Sequence, residues 1–373
     1  MQRVLVLSAY EARSHAYWLE RLQESLPNSY EWHVLSLPPR HFNWRIRGNS
    51  LYWSVSERER LEQSYDAVLA TSMVDLATLR GLVPALAQTV NCLYFHENQF
   101  AYPGSERQHS VIESQMVTLY GALAADRVAF NSAYNRRTFL AGVDALLDRL
   151  PDFVPEGVSR RIEGKSRVLP VPIRSPDDGI AAAWPGTSGG TGGPLRIAWL
   201  GRFEYDKGPD ILLHTLSVLE EAGIAYELAL VGQEFRQLPE DFATLRTVYS
   251  HRIVHWGFIE SDVQYRAVLA GAEVALSTAR HEFQGLALLE ATALGAFPIV
   301  PARQAYPEIF PEQCCYPVEE GNAVLEGHHA AQKILDCLPS IRAGVTTPPS
   351  VENFFPEKLA AGYCDFLSRR DSP

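Results

Sequence analysis

Two carboxylates eight residues apart are the most specific chemical signal in the second half of the chain. Glu282 and Glu290 stand at the two ends of the segment EFQGLALLE, which runs on into ATALG and an apolar strand candidate. Eight residues are a little over two helical turns, so we expect Glu290 on roughly the same face as a group at the helix start. The amides of Gln284, Gly285 and Leu286 fall at that start, where unpaired N–H groups and the helix dipole favour a phosphate.

Cations and a glycine near other strand ends fit the same ligand. Arg202 follows the strand candidate Ile197–Leu200, Lys207 comes shortly after it, and Gly232 follows Leu228–Val231. Both cations form charge-assisted hydrogen bonds to diphosphates readily. For the two glutamates alone, an amphipathic helix with solvated carboxylates explains the pattern equally well. The combination with the cations and glycines favours a diphosphate site.

Polar residues also follow the strand candidates of the first half. They are Ser14 and His15 after the first strand, His96, Glu97 and Asn98 after the third, and Asn131 and Ser132 after the fourth. Ligands of open parallel sheets bind beyond the carboxyl ends of the strands, which makes these residues candidates. Structural interpretations remain for each: a single histidine often packs, an isolated glutamate is usually solvated, Ser14 suits a helix N-cap, and the last pair suits a turn.

A basic and aromatic segment is a candidate for binding RNA. Residues 40–47 read RHFNWRIR and include Trp44, Arg45 and Arg47, with Tyr52 and Trp53 nearby. Proteins hold unpaired RNA bases with stacking rings and neighbouring cations. The alternative is an amphipathic loop or the rim of a domain.

The elements that must position these residues alternate along the chain. Short apolar runs, each read as a buried strand, are Val4–Leu7, Ala67–Ala70, Cys92–Phe95, Arg127–Phe130, Val168–Val171, Ile197–Leu200, Leu228–Val231, Val274–Ser277 and Phe297–Val300. Longer amphipathic segments separate them. Such alternation predicts an α/β protein with parallel sheets covered by helices. We expect two Rossmann-like domains facing each other across an interdomain cleft.

The domain boundaries follow from composition. Residues 175–194 read SPDDGIAAAWPGTSGGTGGP, which has no hydrophobic period and is typical of a linker or long surface loop. We therefore expect one domain over 1–174 and a second over 195–350, followed by a final helix over residues 351–373.

Composition narrows the class of protein. The 373 residues are 46% hydrophobic and 21% charged, as in ordinary globular proteins, and the formal charge of -11 argues against binding nucleic acid through bulk charge. No apolar run approaches the roughly 20 residues that span a bilayer. Five cysteines without a C-x-x-C pair, and no signal peptide, favour the cytoplasm. We expect no membrane partner, and the oligomeric state stays open.

The second half resembles the retaining glycosyltransferases of family 4, which have the GT-B fold. The resemblance covers residues 195–310 and includes Gly201-Arg202, Lys207-Gly208 and the paired glutamates. It implies that Arg202 and Lys207 hold a diphosphate, that Glu282 lies beside the transferred sugar, and that Glu290 bonds the ribose. His96 matches the histidine that these enzymes place beside the donor sugar. The resemblance also implies that no metal or other cofactor is required. It implies that residues 1–174 form an acceptor-binding domain and residues 195–350 a nucleotide-sugar-binding domain, and that the helix over 351–373 returns to the first domain.

The first half is similar to the tRNA-queuosine alpha-mannosyltransferases and their bacterial relatives. The motifs LYFHENQ, FNSAYN, WRIRG and ATSM carry this resemblance over residues 3–140. It implies GDP-mannose as donor and queuosine in the anticodon of an aspartate tRNA as acceptor. Two alternatives stay open: a family 4 enzyme with another nucleotide sugar and a small-molecule, glycan or lipid acceptor, and a noncatalytic protein that binds nucleotide sugars or RNA.

Overall fold

A computed structural model describes residues 1–26, 30–102, 111–176, 180–187, 192–235 and 237–368. The chain divides into two compact units. Unit 1 comprises Met1–Pro172 and Phe354–Pro373, and unit 2 comprises Ile173–Asn353.

Unit 1 is built on a six-stranded parallel sheet with the order β2-β1-β3-β4-β5-β6. Its strands are β1 (Gln2–Ser8), β2 (Tyr30–Ser36), β3 (Ala67–Thr71), β4 (Val90–Phe95), β5 (Arg127–Phe130) and β6 (Ser166–Val168). Helices between the strands are α1 (Arg13–Ser25), α2 (Phe42–Ser56), α3 (Arg58–Leu61), α4 (Leu76–Leu82), α5 (Val111–Ala124), α6 (Ala133–Leu147) and α7 (Val158–Glu163). Consecutive apolar residues fill the central strands because helices cover both faces of such a sheet.

Unit 2 repeats this design with a second six-stranded parallel sheet, in the order β12-β11-β10-β7-β8-β9. Its strands are β7 (Leu195–Leu200), β8 (Tyr226–Val231), β9 (Ile253–Gly257), β10 (Val274–Leu276), β11 (Phe297–Pro301) and β12 (Cys315–Tyr316). Its helices are α8 (Pro209–Glu221), α9 (Glu240–Val248), α10 (Asp262–Gly271), α11 (Leu286–Ala293), α12 (Tyr306–Ile309) and α13 (Ala323–Arg342). The prediction of two parallel α/β sheets is therefore confirmed.

The sequence identified the interior strands and missed the edges. Every strand with neighbours on both sides coincides with a predicted apolar run. The predicted strand Val168–Val171 had the wrong bounds, since the observed strand β6 ends at Val168. Strands β2, β9 and β12 were not predicted. All four strands lie at sheet edges. In β2, β6 and β9 partly exposed or polar residues interrupt the apolar pattern, and β12 is buried but only two residues long.

The last helix, α14 (Pro356–Leu367), packs against α1 and β4 of unit 1. It begins later than the predicted residue 351 because Pro356 has no N–H to donate and suits the first helical turn. Arg127 of β5 holds its carboxyl end by donating to the carbonyls of Asp365, Phe366 and Ser368 at 2.8 to 3.0 Å. Residues 369–373, which the prediction included in this helix, lie outside the described residues.

Part of the predicted linker is bound to unit 2. Trp184 Nε1 donates to a Glu227 carboxylate oxygen at 2.7 Å, and the Thr187 amide donates to the same carboxylate at 2.9 Å. Residues 177–179 and 188–191 of that linker lie outside the described residues. Within the described part of the chain, no helix combines the length and apolar character that crossing a membrane requires.

Candidate functional site

Close backbone contacts bring together the loops that follow β7, β8 and β10. A Cβ atom added to Gly232 would lie 1.7 Å from the carbonyl oxygen of Gly201. A Cβ atom on Gly208 would lie 2.1 Å from the carbonyl oxygen of Thr278, and the φ of +63° at Gly208 suits glycine as well. The glycines are therefore required by the packing of these loops, whatever ligand they meet.

Thr278 and Lys207 join the same loops through side chains. Thr278 Oγ1 donates to the carbonyl oxygen of Lys207 at 2.8 Å, and it accepts from Trp199 Nε1 at 2.9 Å. Lys207 Nζ donates to the carbonyl of His281 at 2.8 Å and to Glu282 Oε2 at 3.1 Å. The ammonium group thus links the end of β7 to the loop after β10.

Lys207 and Glu282 form an ion pair that is mostly shielded from water, with side chains 11% and 25% exposed. Burial alone would lower the pKa of Lys207, but the carboxylates of Glu282 and Asp206 raise it above its ordinary value. Burial likewise opposes ionisation of Glu282, and the Lys207 ammonium outweighs it, so the pKa of Glu282 lies below its ordinary value. Both groups are charged at neutral pH.

Helix α11 begins at Leu286, after Gly285 with φ +75°. A Cβ atom on Gly285 would lie 2.8 Å from the ring of Tyr306, so the turn needs glycine here also. Glu282 precedes the helix, so helical spacing does not relate it to Glu290, which stands four residues after the first helical residue, Leu286. Glu290 lies within α11 and accepts a hydrogen bond from Tyr265 at 3.0 Å.

Acidic side chains outnumber the cations at this site. Arg202 Nη2 lies 2.9 Å from Glu204 Oε2 and 3.7 Å from Asp206 Oδ2. With Lys207 and Glu282 included, two cations meet three carboxylates, which gives a formal charge of -1. A diphosphate must therefore compete with carboxylates for both cations. The sequence pattern drew attention to the cations and not to the acids between them.

In unit 1, aromatic rings enclose His96 just beyond the end of β4. His15 of α1 stacks on it at 4.1 Å between ring centroids, Trp18 meets it edge-on at 4.8 Å, and Tyr94 lies at 4.7 Å. Burial, together with the neighbouring His15, holds the pKa of His96 well below its ordinary value. His96 is therefore neutral at physiological pH, and the cage restricts its ring to one orientation.

Buried polar atoms accompany His96. His15 Nε2 lies 3.3 Å from Glu97 Oε2. Within the described residues, His96 Nε2, His15 Nδ1 and the hydroxyls of Ser8 and Thr71 are buried and make no hydrogen bond. Such groups are rare in folded proteins and call for an explanation, of which an absent ligand is one. Three of the four lie on or next to the carboxyl ends of β1, β3 and β4.

Three further candidates of unit 1 make hydrogen bonds within the chain. Asn98 Nδ2 donates to Asn135 Oδ1 at 2.8 Å, and its Oδ1 accepts from two backbone amides at 3.0 Å. Asn131 Nδ2 donates to the carbonyl of His96 at 2.8 Å. Ser132 caps α6, since its hydroxyl accepts from the Asn135 amide at 3.1 Å. The geometry favours a structural role for all three, and their contact with an acceptor stays a prediction.

Ser14 does not occupy the N-cap position that was its structural alternative. Helix α1 begins at Arg13, and Ala12 takes the N-cap position without a side-chain hydrogen bond. Ser14 is exposed in the first turn, one residue before the buried His15. Its proposed contact with an acceptor therefore has no competing capping role.

The basic and aromatic segment forms α2 rather than a loop. Trp44 is 56% exposed, and its indole lies over Gly48, where a Cβ atom would come within 2.4 Å of the ring. Arg45 is half-buried. Arg47 donates to the buried Asp75 at 2.9 Å. Of the three candidate residues in this segment, Trp44 offers the most open surface.

Among the described residues, no group of three or more His, Cys, Asp or Glu side chains has the arrangement of a metal site. The absence of a metal requirement stays a prediction.

Comparison with known proteins supplies the family. Residues 3–173 match the model of the tRNA-queuosine alpha-mannosyltransferase N-terminal region, and residues 194–338 match glycosyl transferases group 1. A Drosophila melanogaster protein named tRNA-queuosine alpha-mannosyltransferase is 31% identical over 318 residues, which are 84% of this chain and 83% of that protein.

The chain belongs to the tRNA-queuosine alpha-mannosyltransferase family.

Solved structures place this family member in the GT-B fold of glycosyltransferases. Anabaena HepE in complex with UDP and glucose matches with a TM-score of 0.68 at 13% identity, covering 98% of this chain and 99% of that one. Sucrose-phosphate synthase from Thermosynechococcus elongatus matches with a TM-score of 0.63 at 17% identity, covering 98% and 96%. At these identities the likeness concerns the fold.

Three contributors to the candidate sites of this mannosyltransferase family member were missed from sequence. Gln304 follows β11, and its side chain bonds to residues 280–282. The rule that ligands lie beyond strand ends, applied to β11 as well, would have selected it. Trp18 and Tyr363 support His96 from α1 and α14, and their apolar helical spacing offered no signal beyond core packing.

Proposed function

We propose that the chain transfers mannose from GDP-mannose to queuosine in the anticodon of an aspartate tRNA, with retention of the anomeric configuration. The observation that carries the proposal is the Lys207–Glu282 pair, which joins the loops after β7 and β10 beside the start of α11. It stands in a chain whose relative from Drosophila melanogaster bears the name of this activity.

Unit 2 would hold the donor. Lys207 and Arg202 would bind the diphosphate together with the amides at Gln284, Gly285 and Leu286, because the start of a helix and a nearby ammonium both favour negative charge. Gly232 would let the backbone approach the nucleotide closely. Glu290, already held by Tyr265, would accept hydrogen bonds from the ribose hydroxyls.

The proposed reaction develops opposite charges on its two fragments. The C–O bond to the diphosphate lengthens, and the sugar acquires oxocarbenium character. Lys207 and the α11 amides would stabilise the departing diphosphate, whose charge grows as the bond breaks. Glu282, ionised beside Lys207, would stabilise the positive sugar. The acceptor hydroxyl attacks the same face, and its proton passes to the leaving diphosphate.

Unit 1 would serve the sugar and the acceptor. The neutral His96 can hydrogen-bond a sugar hydroxyl without adding charge, and its buried Nε2 has the unused bonding capacity this requires. Glu97, beside His15, would bond the acceptor or stabilise developing positive charge. Ser14, His15, Trp44, Arg45 and Arg47 would contact the tRNA. We propose that no metal takes part and that the cytoplasm is the location, which the unpatterned cysteines favour.

The decisive experiment offers the chain two donors and two acceptors. GDP-mannose or a UDP-sugar is incubated with tRNA that carries queuosine or with the same tRNA carrying guanine at that position. Mass spectrometry of the nucleosides then reads out the addition of one hexose. The proposal expects the gain with GDP-mannose and queuosine only, in the presence of a metal chelator.

Two variants connect the reaction to the site. Lys207→Met should lower turnover strongly, and Glu290→Ala should mainly weaken GDP binding. Transfer from a UDP-sugar would contradict the donor, transfer to the guanine-containing tRNA would contradict the acceptor, and wild-type turnover in Lys207→Met would contradict the phosphate site.

A further inference from the structure

Gln304 has an unusual backbone conformation in the loop after β11. Its φ is +55°, in the left-handed region that residues with a Cβ atom seldom adopt. Among the described non-glycine residues, only His41 and Phe153 share a positive φ. Glutamine has no short side chain to stabilise this conformation locally, so the surrounding contacts must maintain it. Strained backbone of this kind is concentrated at functional sites.

The side-chain amide of Gln304 bonds to three consecutive residues. Its Oε1 accepts from the Glu282 amide at 2.5 Å. Its Nε2 donates to the carbonyl of Arg280 at 2.9 Å and lies 3.1 Å from His281 Nδ1. The opposite orientation of the amide would set N–H against N–H and C=O against C=O. The orientation is therefore determined by the backbone groups it faces.

This orientation determines the tautomer of His281. Since Gln304 Nε2 can only donate, His281 Nδ1 must accept, and the ring proton resides on Nε2. Burial, together with the Lys207 ammonium, lowers the pKa of His281 to about 4 and keeps the ring neutral, against the opposing effect of Glu282 and Asp206. The side-chain amide of Gln304 thus determines the tautomer of the His281 ring and holds the backbone of Glu282 in place.

We propose that Gln304 is a positioning residue that holds the Arg280–Glu282 loop and the Nε2–H tautomer of His281 for the transfer reaction. The role of Glu282 in this inference rests on the proposed function. The position of the loop and the tautomer of His281 rest on the contacts of Gln304. A loop displaced by about 1 Å can cost a hundredfold in rate when the displaced groups stabilise a transition state. The strain at Gln304 is retained because glycine there would lose all three contacts.

Two substitutions at Gln304 and one elsewhere test the proposal. Gln304→Glu keeps the shape and the acceptor toward the Glu282 amide, but it cannot donate to Arg280 or to neutral His281. Gln304→Gly relieves the backbone strain and removes every side-chain contact. Phe153→Gly is the matched control, because Phe153 has a φ of +50° in unit 1 and a side chain that is 99% exposed.

The expected results separate positioning from folding. Both Gln304 variants should lose kcat by about tenfold to a hundredfold, with GDP affinity changed little. Gln304→Gly should do so without a lower melting temperature. In Gln304→Glu the new carboxylate should favour a proton on His281 Nδ1, so ¹⁵N NMR should show the pKa of His281 raised from its wild-type value. Phe153→Gly should keep kcat.

Three outcomes would overturn the proposal. The first is full kcat in Gln304→Gly. The second is a proportionate loss of kcat, GDP affinity and melting temperature in both variants. The third is an NMR spectrum of the wild-type chain that shows the proton of His281 on Nδ1. The NMR measurement needs neither substrate nor a folded variant. If the wild-type chain fails to transfer mannose, the proposed function fails while the NMR result still decides the tautomer and the Gln304 contact.

Discussion

Lys207 depends for its charge and position on the acids around it. Its Nζ atom lies 3.1 Å from Glu282 and 3.3 Å from Asp206, and a carbonyl completes its contacts. An ammonium in this setting pre-orients Glu282 and stays available to a more highly charged diphosphate. At the residue scale, we therefore expect the pair to affect stability as well as the proposed binding of the diphosphate.

Replacing Lys207 by methionine should leave Glu282 without its counter-charge. We expect the free energy of unfolding at pH 7 to fall by about 3 kcal/mol. This is the lower end of the cost of breaking a buried ion pair, because the Glu282 side chain is still 25% exposed. Lys207 lowers the pKa of Glu282, so this stability is present above the unfolded pKa of about 4.3 and is lost as the pH falls through the lower folded value.

Urea unfolding between pH 7 and pH 3 measures this difference. The gap between the wild-type chain and Lys207→Met should narrow as the pH falls. Lys358→Met, at an exposed position of α14, is the control and should change stability little at any pH. A gap that stays constant with pH would show that the ion pair is not its source.

At the element scale, the glycines position the strand-end loops of unit 2. Gly232→Ala should lower the free energy of unfolding by about 3 kcal/mol, since its Cβ atom would lie 1.7 Å from a backbone oxygen and the loops must separate. GDP binding, measured by calorimetry, should weaken in parallel. Gly81→Ala in α4, which meets no atom within 4 Å, should instead raise stability by about 0.5 to 1 kcal/mol. Equal effects of the two substitutions would contradict this interpretation.

Helix α14 supports His96 through α1. Tyr363 Oη accepts from Trp18 Nε1 at 2.9 Å and donates to the carbonyl of Pro170 at 2.9 Å. Tyr363→Phe should cost about 1 to 3 kcal/mol of stability, the usual cost of unsatisfied buried partners. It should also lower kcat, because Trp18 is part of the cage around His96.

Tyr65→Phe provides the matched control for this helix. Tyr65 is buried in the same unit and donates to the carbonyl of Arg60 at 2.9 Å. Chemical denaturation and steady-state kinetics should show a loss of stability in both variants and a loss of kcat in Tyr363→Phe only. Unchanged kcat in Tyr363→Phe would limit α14 to a role in stability.

At the scale of the whole molecule, the formal charge of -11 leads us to expect that the proposed contact with tRNA is local. Trp44→Ala should weaken tRNA binding by about tenfold, because stacking on one base contributes about 1 to 3 kcal/mol. Stability should stay unchanged, since Trp44 is 56% exposed. Val55→Ala, at a 73% exposed position of the same helix, should leave binding unchanged. Filter binding at several salt concentrations measures the tRNA affinity of both variants. An equal loss of affinity in the two would contradict a base-stacking role for Trp44.

The sequence by itself determined the interior of both sheets and selected the candidate site residues. Interior strands are buried on both faces, so they need unbroken apolar runs, and the polar residues after them stand out. The edge strands β2 and β9 have mixed sequences, and the edge strand β12 is only two residues long, which is why these three gave no clear pattern. The family motifs also depend only on local residue types and spacing.

Only the tertiary structure decided which polar residues meet one another. Glu282 and Glu290 share a motif, yet one pairs with Lys207 and the other with Tyr265. Arg47 was predicted to contact RNA, but its guanidinium pairs with Asp75. The side-chain amide of Asn98 donates to Asn135. Hydrogen bonds and ion pairs form between residues far apart in the chain, so their partners depend on packing that no local pattern encodes. Gln304 is positioned by the same long-range contacts.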